Sequence, residues 1–182
     1  MPLKPLHHPE HLYFVTATLA GWKALFVHSE YGELPHQSLD WLRRNGRHRL
    51  YAFVIMPTHV HFINKPVEPF TISHLIQQFG YLTAHELLKR LRTRGEGDLL
   101  AFFQSQQAEP GKQHAFWQTI QAKNVETPEF LWEKVEYVHN NPVAKKWALA
   151  EERADYRLSS ACYYDRGVML VIGVDDVRSL FE

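Results

Sequence analysis

The chain predicts an α+β fold with the split β-α-β, ferredoxin-like pattern: an antiparallel sheet with helices packed on one face, and a further helix after the last strand. Three observations carry this. Apolar, β-rich runs recur at 11–19, 49–56 and 59–65, with a weaker one at 116–125. Two amphipathic stretches separate them, so the order reads β-α-β-β-α-β-α. A hydrophobic content of 45% with 22% charged residues over 182 positions suits a globular domain with a real core.

The elements follow in order. His11–Leu19 alternates Tyr13, Val15 and Ala17 with Leu12, Phe14 and Thr16, the period of a strand, and Gly21 ends it. Leu34, Leu39, Trp41 and Leu42 recur at roughly helical spacing over 34–44. Asn45-Gly46 stops that helix, with Arg43 and Arg44 in the last turn where the dipole favours them. Arg49–Met56 is apolar on both faces and reads as a central strand. Pro57-Thr58 forms a short turn, and His59–Lys65 returns antiparallel to it. Pro66 and Pro69 mark a loop. Thr71–Leu91 is a long amphipathic helix, capped by Thr71 or Ser73, with Gly80 as a weak spot inside it. The stretches 93–97 and 104–113 are polar and loop-like. Phe116–Val125 is the fourth strand. Thr127-Pro128-Glu129 combines an N-cap, a proline at the first helical position and an acid, and starts a helix that runs to about Asn140. Pro142 biases the residue before it out of the helix. Residues 143–150 add a turn or two, and 167–174 form a late strand or a docking segment. We read 1–182 as one domain, with 1–10 as a mobile N-terminus and 150–182 as a tail docking on it.

Composition excludes several classes. Both long apolar runs, 50–57 and 168–174, are too short to cross a bilayer. The N-terminus lacks the apolar core of a signal peptide. Cys162 is the sole cysteine, which removes intramolecular disulfides and cysteine-based zinc sites. No membrane association and a cytoplasmic location are the expectation. Net charge is zero with histidines neutral, but the charge is clustered. Arg43, Arg44, Arg47, His48 and Arg49 form one basic group; Lys89, Arg90, Arg92 and Arg94 a second; Lys145 and Lys146 a third. Each reads either as a phosphate-contacting patch or as an ordinary solvated helix end.

Twelve histidines is a high count for this length. His7, His8 and His11 are expected in a mobile N-terminus, and His36, His74, His85 and His114 show no partner pattern. His59 and His61 differ. Residues i and i+2 of a strand share a face, so the two project side by side, about 7 Å apart along the strand. That spacing can hold one divalent cation if a third donor joins. The helix at 127–140 supplies candidates: Tyr137 and Asn141, spaced i, i+4, share one face if the helix persists that far. A tyrosine one turn from a metal-binding amide is placed for nucleophilic attack. Free tyrosine, with a pKa near ~10, is a poor nucleophile at neutral pH. A cation on the scissile phosphate makes phosphorus more electrophilic and stabilises developing charge. A phosphotyrosine ester also conserves the bond for rejoining. His139, two residues after Tyr137, faces away and is structural or at most a DNA contact.

These residues resemble a known family. Met56-Pro57-Thr58-His59-Val60-His61 is similar to the HUH motif of the single-tyrosine transposases. Tyr137-Val138-His139-Asn140-Asn141-Pro142-Val143 resembles the tyrosine segment of their REP-associated branch. Asp155-Tyr156-Arg157-Leu158-Ser159-Ser160-Ala161 resembles that branch's tail motif, and Tyr13-Phe14-Val15-Thr16 its opening strand. The resemblance implies cleavage and transfer of single-stranded DNA through a 5′-phosphotyrosine, with Tyr137 as nucleophile. It implies Mg²⁺ or Mn²⁺ held by His59, His61 and Asn141, and as partner a palindromic repeat that folds as a hairpin. Either a monomer or a homodimer fits. Candidate DNA contacts are Arg43, Arg44, Arg47, Arg49, Lys145 and Lys146. The chain departs from the family pattern at Gly80, where a lysine is usual, in Val143-Ala144-Lys145-Lys146-Trp147, which lacks the usual glycine before the tryptophan, and after Trp117-Gln118, where an acidic residue is expected. Two other functions compete. One is a non-catalytic single-stranded nucleic-acid-binding module, with Tyr51 or Phe53 as stacking platforms. The other is a small metal-dependent hydrolase using the histidine pair.

Overall fold

A computed structural model describes residues 11–106, 115–170 and 172–181. His7, His8 and His114, and the N-terminal segment 1–10, lie outside the described residues. Four strands, β1 (Leu12–Leu19), β2 (His48–Ile55), β3 (His59–Pro66) and β4 (Trp117–Val125), form one antiparallel sheet in the order β2-β3-β1-β4. Two β-α-β passages generate that order: β1 to β2 through α1 (Ser29–Arg44), and β3 to β4 through α2 (Ile72–Thr93). A short helix α3 (Gly97–Ser105) follows α2, where sequence reading assigned no element. Its Phe103 is buried, and burial of that ring holds the helix against the long one.

Helices α1 and α2 pack on one face of the sheet, as expected, and the tyrosine-bearing helix after the last strand covers the other. On the first face, Val15, Ala17, Phe53, Val60 and Phe62 pack with Leu34, Leu39 and Leu42 of α1 and Leu75, Phe79 and Leu87 of α2. On the second, Val54, Met56, Ile63 and Val125 pack with Leu131, Val135 and Val138 of α4 (Pro128–Asn140). The cause is legible in β2 and β3: both are buried along nearly their whole length, so apolar side chains alternate to both faces and each face needs a cover.

β2 is an edge strand, not a central one. The C-terminal tail pairs with its outer edge. Ile55 N–H donates to Leu158 O (2.8 Å), Ser160 N–H to Phe53 O (3.0 Å) and Asp175 N–H to Leu50 O (2.7 Å). The Tyr156 hydroxyl donates to Ile55 O and the Tyr164 hydroxyl to Tyr51 O. The tail thus satisfies an edge that would otherwise template further strands. Residues 167–174 form no strand where described; Gly167 is the left-handed cap of a short helix, α5 (Ala161–Arg166).

Two glycines are set by close approach. Helix α1 starts at Ser29, earlier than the sequence pattern indicates, because Gly32 and Pro35 mask its first turns. A Cβ on Gly32 would lie 2.7 Å from the Phe26 carbonyl oxygen, so only glycine fits. Gly80 is a packing device: Trp117 Nε1–H donates to its carbonyl at 3.2 Å, and a Cβ there would meet Ile120 Cδ1 at 2.7 Å.

Candidate metal and tyrosine centre

The antiparallel register of β3 with β1 sets His61 opposite Thr16 and His59 opposite Thr18. Val60 and Phe62 belong to the first core, so both histidines face the second, the α4 side. Their ring centroids are 4.8 Å apart. Each Nδ1 is engaged by a threonine hydroxyl at 2.9 Å: His59 by Thr58 and His61 by Thr16. With the threonine oxygen accepting the Nδ1 proton, Nε2 of each ring keeps a free lone pair, the state a cation needs. Both rings are buried. Burial first, then the positive charge of Lys146, lowers His59 to about 4. Burial, then His59 and Lys146, lowers His61 to about 3. Both are therefore neutral at physiological pH and competent as ligands.

Thr127 caps α4 by accepting the Phe130 N–H, Pro128 occupies the first turn, and the Leu131, Val135, Val138 stripe docks the helix on the sheet. This fixes the position of Tyr137. Its ring lies 5.2 Å from that of His61 and 5.9 Å edge-on to Phe14, yet the residue is 46% exposed. A buried tyrosine would be a core residue; this one stands beside the histidines with a surface open to a substrate. Asn141 caps α4 with helical backbone angles (φ −56°, ψ −46°), so the helix persists and Asn141 shares the face of Tyr137. Its Oδ1 is buried and has no hydrogen-bond partner. An orphaned buried carbonyl oxygen is costly unless something fills its place.

Two imidazole nitrogens and one amide oxygen fit a divalent cation such as Mg²⁺ or Mn²⁺ with open positions. No third His, Cys, Asp or Glu joins the pair among the described residues.

Several neighbours escaped sequence reasoning. Lys134 sits one turn before Tyr137, with Nζ 5.6 Å from the Tyr137 ring and 4.8 Å from that of Phe130, and it pairs with Glu133. Its i, i+3 spacing from Tyr137 was the available signal. Trp147 lies 5.6 Å from His59, folded back by the turn after Asn141. Trp22 lies 6.1 Å from the same ring. His139 is fully buried, and its Nε2 contacts Ser160 Oγ at 2.8 Å, a structural role.

The basic candidates divide. Lys146 acts on the histidine pair electrostatically, and its Nζ stands 5.7 Å over Trp147. Lys145 is exposed beside it. Arg43 is paired with Asp175 (3.2 Å) and Arg44 with Asp40 (2.7 Å). Arg47 stacks on Trp41 and Phe70. Arg49 lines a surface groove with Tyr51 and Lys65. The α1 arginines thus serve local contacts on the opposite side of the sheet from the histidines. Tyr51 and Phe53 are fully buried and present no face for a base, which removes them as stacking platforms. His11 adjoins β1, with Asn124 Nδ2 3.4 Å from its Nδ1, and is not part of a loose terminus.

The chain has the fold of a tyrosine transposase. It is similar to the solved structure of the REP-associated tyrosine transposase bound to a REP hairpin, with a TM-score of 0.65 over 97% of this chain and 93% of that one, at 15% identity. A protein of Deinococcus radiodurans, provisionally designated a transposase, is similar with a TM-score of 0.45 over 71% of this chain and 88% of that one, at 14% identity. No family model and no curated protein matches the sequence. No helix among the described residues is long and apolar enough to cross a membrane.

Proposed function

We propose that this protein cleaves and transfers single-stranded DNA through a tyrosyl ester, in the manner of the REP-associated tyrosine transposases. One observation carries the reading: an exposed tyrosine ring lies against a neutral histidine pair, one helical turn from a buried amide oxygen that has no partner. A fold shared with a structure that holds a REP hairpin supports it, and makes hairpin-forming palindromic DNA the substrate class to test first.

His59, His61 and Asn141 would hold Mg²⁺ or Mn²⁺, which, when bound, polarises the scissile phosphate and stabilises its developing charge. The protein's own groups do the rest. Thr16 and Thr58 orient the imidazole rings through their Nδ1 contacts. Packing of α4 holds the phenol against His61, so attack needs little reorganisation. The Tyr137 oxygen bonds to phosphorus and the P–O3′ bond breaks; the phenolic proton passes to solvent, and the departing 3′ oxygen takes up a proton from solvent to become a hydroxyl. The 5′-phosphate stays esterified to Tyr137. Attack by a 3′-hydroxyl on that ester reverses the step and joins strands. Lys134 and Lys146 add positive charge where the phosphate would sit.

The test is a covalent adduct on denaturing gels between the protein and hairpin-bearing single-stranded DNA with Mn²⁺. Tyr137→Phe abolishes the adduct and leaves DNA affinity within about threefold, since a phenol oxygen is lost but the ring stays. An adduct that survives this substitution removes Tyr137 as nucleophile. Metal-dependent turnover without Tyr137 would establish a hydrolase instead, and binding without any adduct a non-catalytic module.

A further inference from the structure

Trp22 is a large apolar side chain left 58% exposed, and its backbone is held in an uncommon conformation. Gly21 (φ +59°) and Trp22 (φ +52°) both lie in the left-handed region. For a bulky aromatic residue that conformation is strained and persists only where surroundings over-determine it. Here they do. Leu19 N–H donates to Thr58 O (2.9 Å), Ala20 N–H to Phe116 O (2.8 Å) and Lys23 N–H to Ala20 O (3.3 Å). Phe102 closes the back of the turn, where a Cβ on Gly21 would lie 2.8 Å from its ring. The anchor at Thr58, next to His59, ties the turn to the histidine strand. The strain is not repaid by burial of the indole. Its one described ring contact is edge-on to His59, at 6.1 Å, so the indole stands at the rim of the candidate centre. Lys146 brings positive charge to the same rim, complementary to a nucleic-acid backbone.

We propose that Trp22 is a stacking platform for an unpaired nucleobase next to the phosphate at the histidine pair. This rests on the reading that single-stranded DNA occupies that site. The chemistry favours a base over another ligand. Any base offers a π-face that stacks on an aromatic ring, and Lys146 beside it suits phosphate. A base in a duplex has no free face, so the platform selects unpaired DNA.

The full-length protein with Trp22→Ala or Trp22→Phe is titrated, in EDTA, against a fluorescein-labelled single strand and its duplex by anisotropy. Adduct formation is then followed with Mn²⁺ over a range of DNA concentration. Trp22→Ala weakens single-strand binding about tenfold and duplex binding far less, with most of the loss of adduct rate in KM. Trp22→Phe recovers most of the affinity. A single abasic position in the strand reproduces the loss and abolishes the further effect of Trp22→Ala. Unchanged single-strand affinity in Trp22→Ala overturns the platform. So does a loss confined to kcat at unchanged affinity, which would mean that Trp22 acts through His59. The two readings fail separately. Trp22-dependent binding without an adduct in the wild type sinks strand transfer and keeps the platform; adduct formation indifferent to Trp22 does the reverse.

Discussion

At the residue scale, Asn141 is the position where structural and functional demands conflict. Its Oδ1 is buried without a partner, which costs roughly 1–3 kcal/mol in a folded protein. A residue kept only to end α4 before Pro142 would gain nothing from that oxygen. Asn141→Ala is therefore expected to lower Mn²⁺ affinity by at least ~10-fold, read by calorimetry, while the melting temperature holds or rises. A marked fall in melting temperature with unchanged Mn²⁺ affinity would make the side chain structural. The charge around it points the same way. Lys134 Nζ stands over the rings of Phe14, Phe130 and Tyr137, and Glu133 is its ion-pair partner among the described residues. If strand transfer runs through Tyr137, Lys134→Met should slow adduct formation at saturating DNA more than it weakens binding, because its charge would lie beside the reacting phosphate. Equal rates in the two proteins would assign Lys134 to packing.

At the element scale, the tyrosine helix is fastened from both ends. Thr127 caps its start, and at its last turn His139 reaches Ser160 of the tail. Ser160 Oγ also accepts the Phe53 N–H at 2.9 Å, so one hydroxyl joins α4, the tail and the edge strand β2. Arg153 adds an exposed clasp, bonding Glu136 and Asp165. Ser160→Ala strands the Phe53 donor and removes the histidine's partner, and should cost about 2–4 kcal/mol, seen as a lower urea midpoint at unchanged m. A loss below about 0.5 kcal/mol would show that the tail is not fastened there. This junction marks the limit of what the sequence made legible. Period-2 and period-3.6 patterns placed the four strands, the two long helices and α4, and the strand period alone put His59 and His61 on one face. The pairing of β2 with the tail was illegible because it uses single backbone hydrogen bonds from irregular chain, which leave no period. The second covered face was legible in principle, since β2 and β3 are apolar on both sides, but the pattern was read as a central strand. The threonine partners of the histidines depend on register with β1, which no local motif specifies.

At the scale of the whole molecule, the fold depends on histidines that stay uncharged, and this makes its stability acid-sensitive above the carboxylate range. His48 is buried between Leu39 O (3.1 Å) and Asn64 (3.3 Å), and His139 lies beneath Ser160; burial, the dominant cause, pushes each down to about 4. In the unfolded chain both titrate near ~6.5. Above that pH neither state holds the proton, and these groups contribute nothing to pH dependence. As pH falls from 6.5 toward 4, the unfolded chain gains protons that the folded one refuses, so stability falls with pH through that window and stays lost below it. At about 1.4 kcal/mol per pH unit, each costs up to about 2 kcal/mol by pH 5. Carboxylates act lower: Asp176, held down to about 2 by Arg178, loses its contribution only as pH falls from near 4 to near 2. Thermal unfolding of the metal-free protein should therefore show two acid stages, the first between pH 6.5 and 4. His48→Gln or His139→Gln should each flatten that first stage even where it lowers stability at pH 7. A melting temperature that is level from pH 7 to pH 5 would mean that these imidazoles are not held neutral in the core.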